Sequence, residues 1–282
     1  MRPLKRLIQL DEALSLALAH VSQINRSERV PILQSAGRVS AEDVVSDLNV
    51  PPFSRSAMDG YAVRARDTFG ASKLKPMKLM RRGVVFAGST PKRPLSKGDC
   101  VEIATGAMLP RGADAVVMVE DTELQGDRVL ITESVYPGQN VSKKGEDIAQ
   151  GSKVVSRGEL LNPSKIGALA AVGKKTVRVF SKPLVAVVPT GDEIAEIGER
   201  LRPGQVYNVN SYTLSSVVWA NGGDVRMLKI VSDSLNDLER VVKDNDDCDM
   251  LVFSGGSSVG ERDVMLDCLL YTSPSPRDRT RS

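Results

Sequence analysis

The chain has 282 residues, 41% of them apolar and 26% charged, enough for globular cores in two domains or in one with insertions. Aromatic residues make up only 4% and the formal net charge is +3, which argues against a base-stacking or strongly basic nucleic-acid surface. A lone histidine, His20, and scattered Cys100, Cys248 and Cys268 offer no zinc-site spacing and fit a reducing cytoplasm, and the chain carries neither a membrane-length apolar run nor a signal-peptide core.

Residues 10–21 (LDEALSLALAHV) space apolar side chains as a helix does, with Asp11 and Glu12 in the first turn. Short β-type runs follow at residues 80–86, 99–103, 115–119 and 129–131, separated by Gly, Pro and Asp-rich turns. A second helix is expected over residues 163–172. From residue 177 the pattern alternates: strands at 177–180 and 184–188, helix 212–220, strand 224–230, helix 235–243 and strand 250–253. Such alternation is the mark of βαβ units in a largely parallel sheet. The expected fold class is therefore α/β with an inserted mostly-β domain, in a multidomain chain. Asn221-Gly222-Gly223 should end the first of these helices, and Asp233-Ser234 should start the second.

The stretch from Leu269 onward (LLYTSPSPRDRTRS) differs in kind. Core-type apolar residues stop, and prolines and arginines crowd together. It reads as a non-native tail, resembling a translated adapter sequence, and is set aside from the fold.

Several segments carry candidate chemistry. Residues 51–63 (PPFSRSAMDGYAV) combine stiffening prolines, Asp59 and a permissive Gly60. They suit either a rigid turn capped by Asp59 or a fixed platform facing a ligand. Thr105-Gly106-Ala107 follows a strand and fits a β-turn equally well. Gly145-Glu146-Asp147 after Lys143 and Lys144 reads, on its own, as a solvated loop.

Two apolar runs end in small and hydroxyl residues: residues 184–193 (LVAVVPTGDE) and 249–260 (DMLVFSGGSSVG). Small residues let backbone N–H groups approach a phosphate or oxyanion at the carboxyl edge of an α/β sheet. Asp192 and Glu193 suit a Mg²⁺ ion bridged to such a phosphate, while Asp192 could equally cap a following helix. Asp233 and Asp263 belong at the same edge as Glu193. Asp249 precedes its strand and should be structural.

At these residues the chain resembles a known family. PPFSRSAMDGYAV, TGAMLPRGADAVVMVE, GEDIAQG, VPTGDE, GQVYNVN and SGGSSVGERD stand in the order and spacing of the MoeA family, the molybdopterin molybdenumtransferases related to the E domain of gephyrin. The resemblance covers residues 4–268. It implies a role in molybdenum cofactor synthesis, in which adenylated molybdopterin is cleaved with Mg²⁺, AMP leaves, and molybdate enters the dithiolene.

By domain, the resemblance implies a discontinuous frame (residues 1–45 and 145–176), a β-rich domain (46–144) and a molybdopterin-binding α/β domain from 177 to 268. By residue, it implies catalytic roles for Asp59, Thr105, Asp147, Glu193, Asp233 and Asp263. Glu193 and Asp233 would be metal ligands. Thr190, Gly191, Gly255, Gly256, Ser257 and Ser258 would shape the pterin phosphate loop, and Ser258 and Arg262 are candidates for molybdate. A cytoplasmic homodimer is implied, with Asp59 and Thr105 of one subunit opposite Glu193 and Asp233 of the other. The adenylyltransferase of the same pathway is a further implied partner; nucleic acid and membranes are not.

The chain departs from the family pattern at Ser54, where Asp is frequent, and at Ser257, where Val is usual. It reads as C-terminally truncated, lacking the last part of the α/β domain and a small β domain. As written, it is expected to be poorly soluble or inactive. Two alternatives stay open: an adenylyltransferase-like enzyme, which leaves the first 175 or so residues unexplained, and a non-catalytic gephyrin-like scaffold, which need not keep the carboxylates.

Overall fold

The structure, a computed structural model, describes residues 8–255. Gly256, Ser257, Ser258, Arg262, Asp263, Cys268 and the stretch from Leu269 lie outside the described residues. The chain divides into two compact units, residues 29–177 and residues 1–28 with 178–282.

Helix α1 (Leu10–Ala19) opens the second of these units and carries Asp11 and Glu12 where the helix dipole favours them. It stops two residues before the expected end, because the backbone N–H of His20 closes onto the Ala17 carbonyl at 3.1 Å. None of its residues is buried, and Leu10, Leu14, Leu16 and Leu18 are exposed.

The unit of residues 29–177 is built on a six-stranded sheet. Its strands are β1 (Gly60–Val63), β2 (Met77–Val85), β3 (Asp99–Ile103), β4 (Ala115–Met118), β5 (Thr122–Gln125) and β6 (Arg128–Ile131). They lie in the order β4-β1-β3-β2-β6-β5, antiparallel except for β2 beside β3. Side chains alternate between faces along a strand. Tyr61, Val63, Ala115 and Val117 accordingly join one core cluster, and Ala62, Val101, Ile103 and Val116 join another. Both faces being covered, β1 and most of β4 are buried at every position.

The sequence pattern placed neither β1 nor β5. Strand β1 is short and begins at a glycine, which reads as a turn. Gly60 is needed there because a Cβ would overlap the Val117 carbonyl of β4. Strand β5 (TELQ) is mostly exposed, so it shows no apolar alternation, yet it pairs with β6 across Gly126-Asp127. Helix α2 (Pro163–Ala171) completes this unit. The Asn162 side chain accepts from the Lys165 N–H at 3.0 Å, and proline occupies the first turn.

In the other unit, β7 (Leu184–Pro189), β8 (Asp224–Met227) and β9 (Met250–Ser254) form a parallel sheet in the order β8-β7-β9. Helix α3 (Val209–Ala220) connects β7 to β8 and packs on both, and α4 (Leu235–Asp244) precedes β9. Helix α3 begins three residues before the expected start because Asn208 caps it, accepting from the Ser211 N–H. Ser234 caps α4 in the same way through the Asp237 N–H. Strand β8 pairs only as far as Met227, shorter than expected, and Val231 rejoins the sheet as a bridge to Thr190. At the amino edge Asp249 accepts from the Leu184 N–H at 2.7 Å and pairs with Arg26, so it is structural.

Candidate functional site

The carboxyl edge of the parallel sheet gathers the first set of residues. Strand β7 runs out into Thr190, whose N–H donates to the Ser254 carbonyl at 3.1 Å. The next N–H, of Gly191, donates to the Val231 carbonyl at 3.3 Å. Three chain segments therefore converge where β7 ends. Glycine is needed at two points of this convergence. At Gly191 (φ +137°) a Cβ would stand 2.7 Å from Glu193 Oε2, and at Gly255 (φ +123°) it would overlap the Thr190 carbonyl.

Above this edge stand Asp192, Glu193 and Asp233, all exposed. Partial burial holds the Asp233 carboxyl above the ordinary aspartate value, and the negative charges of Asp192 and Glu193 push it the same way; Thr190 opposes them. Asp192 and Glu193 thus repel Asp233, and among the described residues no cation pairs with any of the three. Beneath them Thr190 Oγ1 is buried and forms no well-aligned hydrogen bond, although it lies near enough to Asp233 to favour its charged form. Asp192 caps no helix. The next element is a short parallel pair, Ile194–Ala195 with Val206–Tyr207, so the capping expectation is corrected.

These features fit a hard cation. Among the described residues no group of three or more metal-ligating side chains is arranged to enclose an ion by itself. Mg²⁺ does not require such a cage, since it commonly takes one or two carboxylates and completes its shell with water and phosphate oxygens. The buried Thr190 hydroxyl, held by Asp233 without good alignment, is a donor of the kind a phosphate oxygen would also satisfy.

The second set lies in the unit of residues 29–177. Arg55–Ser56 pairs with Val141–Ser142, and Ser56 also exchanges backbone hydrogen bonds with Gly106 and Ala107. The N–H groups of Asp147 and Ile148 both donate to the Val50 carbonyl. Asp59 Oδ1 accepts from the Thr105 N–H at 2.7 Å. Asp59 therefore makes a bond between loops rather than capping its own turn. Asp59, Thr105 and Asp147 are exposed on one hydrogen-bonded group of loops.

Asn49 is a supporting residue that the sequence reading missed. Its Oδ1 accepts from the Gln150 N–H at 3.0 Å and lies 2.5 Å from where a Cβ of Gly145 would stand. It thereby holds the far end of the segment that carries Asp147, while the Gly145 N–H is held by the Pro51 carbonyl and leaves no room for a Cβ. An Asn just ahead of Val50-Pro51-Pro52 is a turn signal that could have flagged it. Ser54, at the departure from the family pattern, accepts from the Lys144 N–H at 3.2 Å.

Comparison with known proteins adds to this geometry. Residues 8–173 match the profile described as "MoeA N-terminal region (domain I and II)". Residues 186–281 match one described as "Probable molybdopterin binding domain", a match that runs through the stretch set aside above. The chain is 34% identical over 259 residues to a molybdopterin molybdenumtransferase of Haemophilus influenzae, covering 91% of this chain and 63% of that protein. It is 36% identical over 251 residues to molybdopterin molybdenumtransferase 2 of Mycobacterium tuberculosis, covering 89% of this chain and 62% of that protein. A solved molybdopterin biosynthesis MoeA protein from Pyrococcus horikosii superposes with a TM-score of 0.81 at 39% identity, covering 94% of this chain and 67% of that one. The chain thus spans a little over three fifths of the length of the two transferases.

Proposed function

The chain belongs to the MoeA family, and from that premise we propose that it serves molybdenum cofactor synthesis as a molybdopterin molybdenumtransferase. Its substrates in this reading are adenylated molybdopterin and molybdate, and AMP leaves as molybdate enters the dithiolene. The observation that carries the reading is the crowding of Asp192 and Glu193 against Asp233 beside the buried Thr190 hydroxyl at the carboxyl edge of β7.

Each residue then has a task. Gly191 and Gly255 let backbone approach a phosphate, and Thr190 Oγ1 donates to one of its oxygens. Glu193 and Asp233 hold the Mg²⁺ ion. When bound, that ion supplies charge neutralisation at the pyrophosphate oxygens. Asp59, Thr105 and Asp147 form the catalytic set of the other unit, with Asp59 held by the Thr105 N–H. Phosphate binding is carried over for Gly256, Ser257 and Ser258, and a catalytic role for Asp263, from the resemblance of their motif to the family's. Pyrophosphate cleavage needs positioned water and charge neutralisation more than a covalent nucleophile. The chain's cysteines accordingly need no role; burial pushes the Cys100 thiol up to about 12, leaving it unreactive. In this reading the protein works in the cytoplasm as a homodimer, and the exposed leucines of α1 support the association alone.

The test is binding of adenylated molybdopterin, followed by pterin fluorescence with and without Mg²⁺, with AMP release as the readout of turnover. Saturable binding strengthened by Mg²⁺ is expected. Absence of saturable binding would contradict the proposal.

A further inference from the structure

A cavity of about 480 Å³ opens in the unit of residues 29–177, on the same group of loops that carries Asp59. Its lining includes Ser54, Arg111, Gly112, Asp114, Gly138 and Lys143. We propose that this cavity is a subsite for a tetrahedral oxyanion, either free or as the phosphoryl group of a nucleotide. The inference stands on the chemistry of the lining and does not depend on the cation site at the sheet edge.

Two cations face the cavity without partners. Arg111 and Lys143 are exposed, and among the described residues neither side chain makes an ion pair or a hydrogen bond. Both are carried on fixed backbone. The Arg111 carbonyl accepts from the N–H of Leu95, a residue of the core. At Gly112 (φ +94°) a Cβ would stand 2.7 Å from the Leu95 carbonyl oxygen, so the turn is held close against that segment. The Lys143 N–H donates to Glu146 Oε2 at 2.9 Å, and its side chain crosses Gly138, with Cε 3.8 Å from where a Cβ would be.

The hydroxyl of the lining fits the same ligand, and the two cations outweigh the one carboxylate beside them. Ser54 Oγ accepts from the Lys144 N–H, which leaves its own O–H free to donate. Asp114 is a carboxylate on the lining, and its Oδ1 is engaged by the Ala65 N–H at 2.6 Å. A guanidinium fork, an ammonium and a hydroxyl donor together match a doubly charged tetrahedral anion. The planar fork can take two oxygens while the ammonium and hydroxyl take others.

The experiment is calorimetric titration of the full chain with inorganic phosphate, molybdate and AMP, each alone at low ionic strength. Saturable binding of at least one probe is expected. Arg111→Gln and Lys143→Gln should each weaken it about tenfold. Thermal midpoints should not move, because both side chains are exposed. Binding of phosphate and molybdate alike supports a free oxyanion, and binding of AMP alone supports an esterified phosphate. Absence of binding for all three probes, or unchanged affinity in both variants, overturns the subsite. So does loss of binding in Glu193→Gln with retention in Arg111→Gln, which would put the anion at the sheet edge instead.

Discussion

The Asp59 carboxylate accepts a hydrogen bond from the backbone N–H of Thr105 at 2.7 Å, joining two loops 46 residues apart in the chain. Asp59→Ala removes the acceptor and should cost about 1 kcal/mol of stability in urea denaturation. Asp59→Asn keeps an oxygen at the same place and should remain within a few tenths of wild type, while losing whatever the charge contributes to catalysis. Equal destabilisation by both substitutions would show that charge, not the acceptor, holds the loops.

Asp233 gives a pH dependence with a definite sign. Its folded pKa is raised, first by partial burial and then by Asp192 and Glu193. The folded state therefore binds this proton more tightly than the unfolded state does. The favourable contribution is complete below the ordinary aspartate pKa and is lost as pH rises through the raised value. Asp233→Asn should slightly raise the thermal midpoint at pH 7 and leave it unchanged near pH 3. A lower midpoint at pH 7 would mean that the charge of Asp233 is used structurally.

Asp249 behaves in the opposite way. Its pairing with Arg26, assisted by the Leu184 N–H, holds its pKa below the ordinary carboxylate range. Its contribution is present above the ordinary value and disappears as pH falls through the lowered one. Asp249→Asn should cost about 1 kcal/mol at pH 7. That difference from wild type should shrink as acid titrates the wild-type carboxylate. A penalty independent of pH would rule out the ion pair as its source.

Helix α3 buries two hydroxyls, Ser211 Oγ and Ser215 Oγ, that find no partner among the described residues. An unsatisfied buried hydroxyl is unfavourable, and alanine has the higher helix propensity. Ser215→Ala should therefore be neutral or stabilising by up to about 1 kcal/mol in urea denaturation. A clear loss of stability would reveal a buried water bridging these groups.

The sequence pattern located what depends on local periodicity. Strand β7 could be read from its unbroken apolar run, and helix α4 from apolar residues at helical spacing behind a capping Ser234. Strand β1 escaped because its identity is set by a distant partner, the Val117 carbonyl that closes on Gly60, and β5 escaped because it is mostly exposed and shows no apolar alternation, although its partner β6 follows directly after Gly126-Asp127. The same holds for the sites. Residue type and strand-end position marked Thr190, Glu193 and Asp233. The Asn-Val-Pro-Pro run marks a turn at Asn49, but its partner Gln150 lies 101 residues away and only the fold reveals it.

The central claim is that Glu193 and Asp233 hold a cation against a phosphate at the carboxyl edge of β7. The measurement that tests it most directly is calorimetric titration of Mg²⁺ into the chain preloaded with adenylated molybdopterin. Wild type should bind Mg²⁺ saturably, and Glu193→Gln and Asp233→Asn should each weaken binding about tenfold or more while the fold is kept. Mg²⁺ affinity unchanged in both variants would place the ion elsewhere and contradict the assignment.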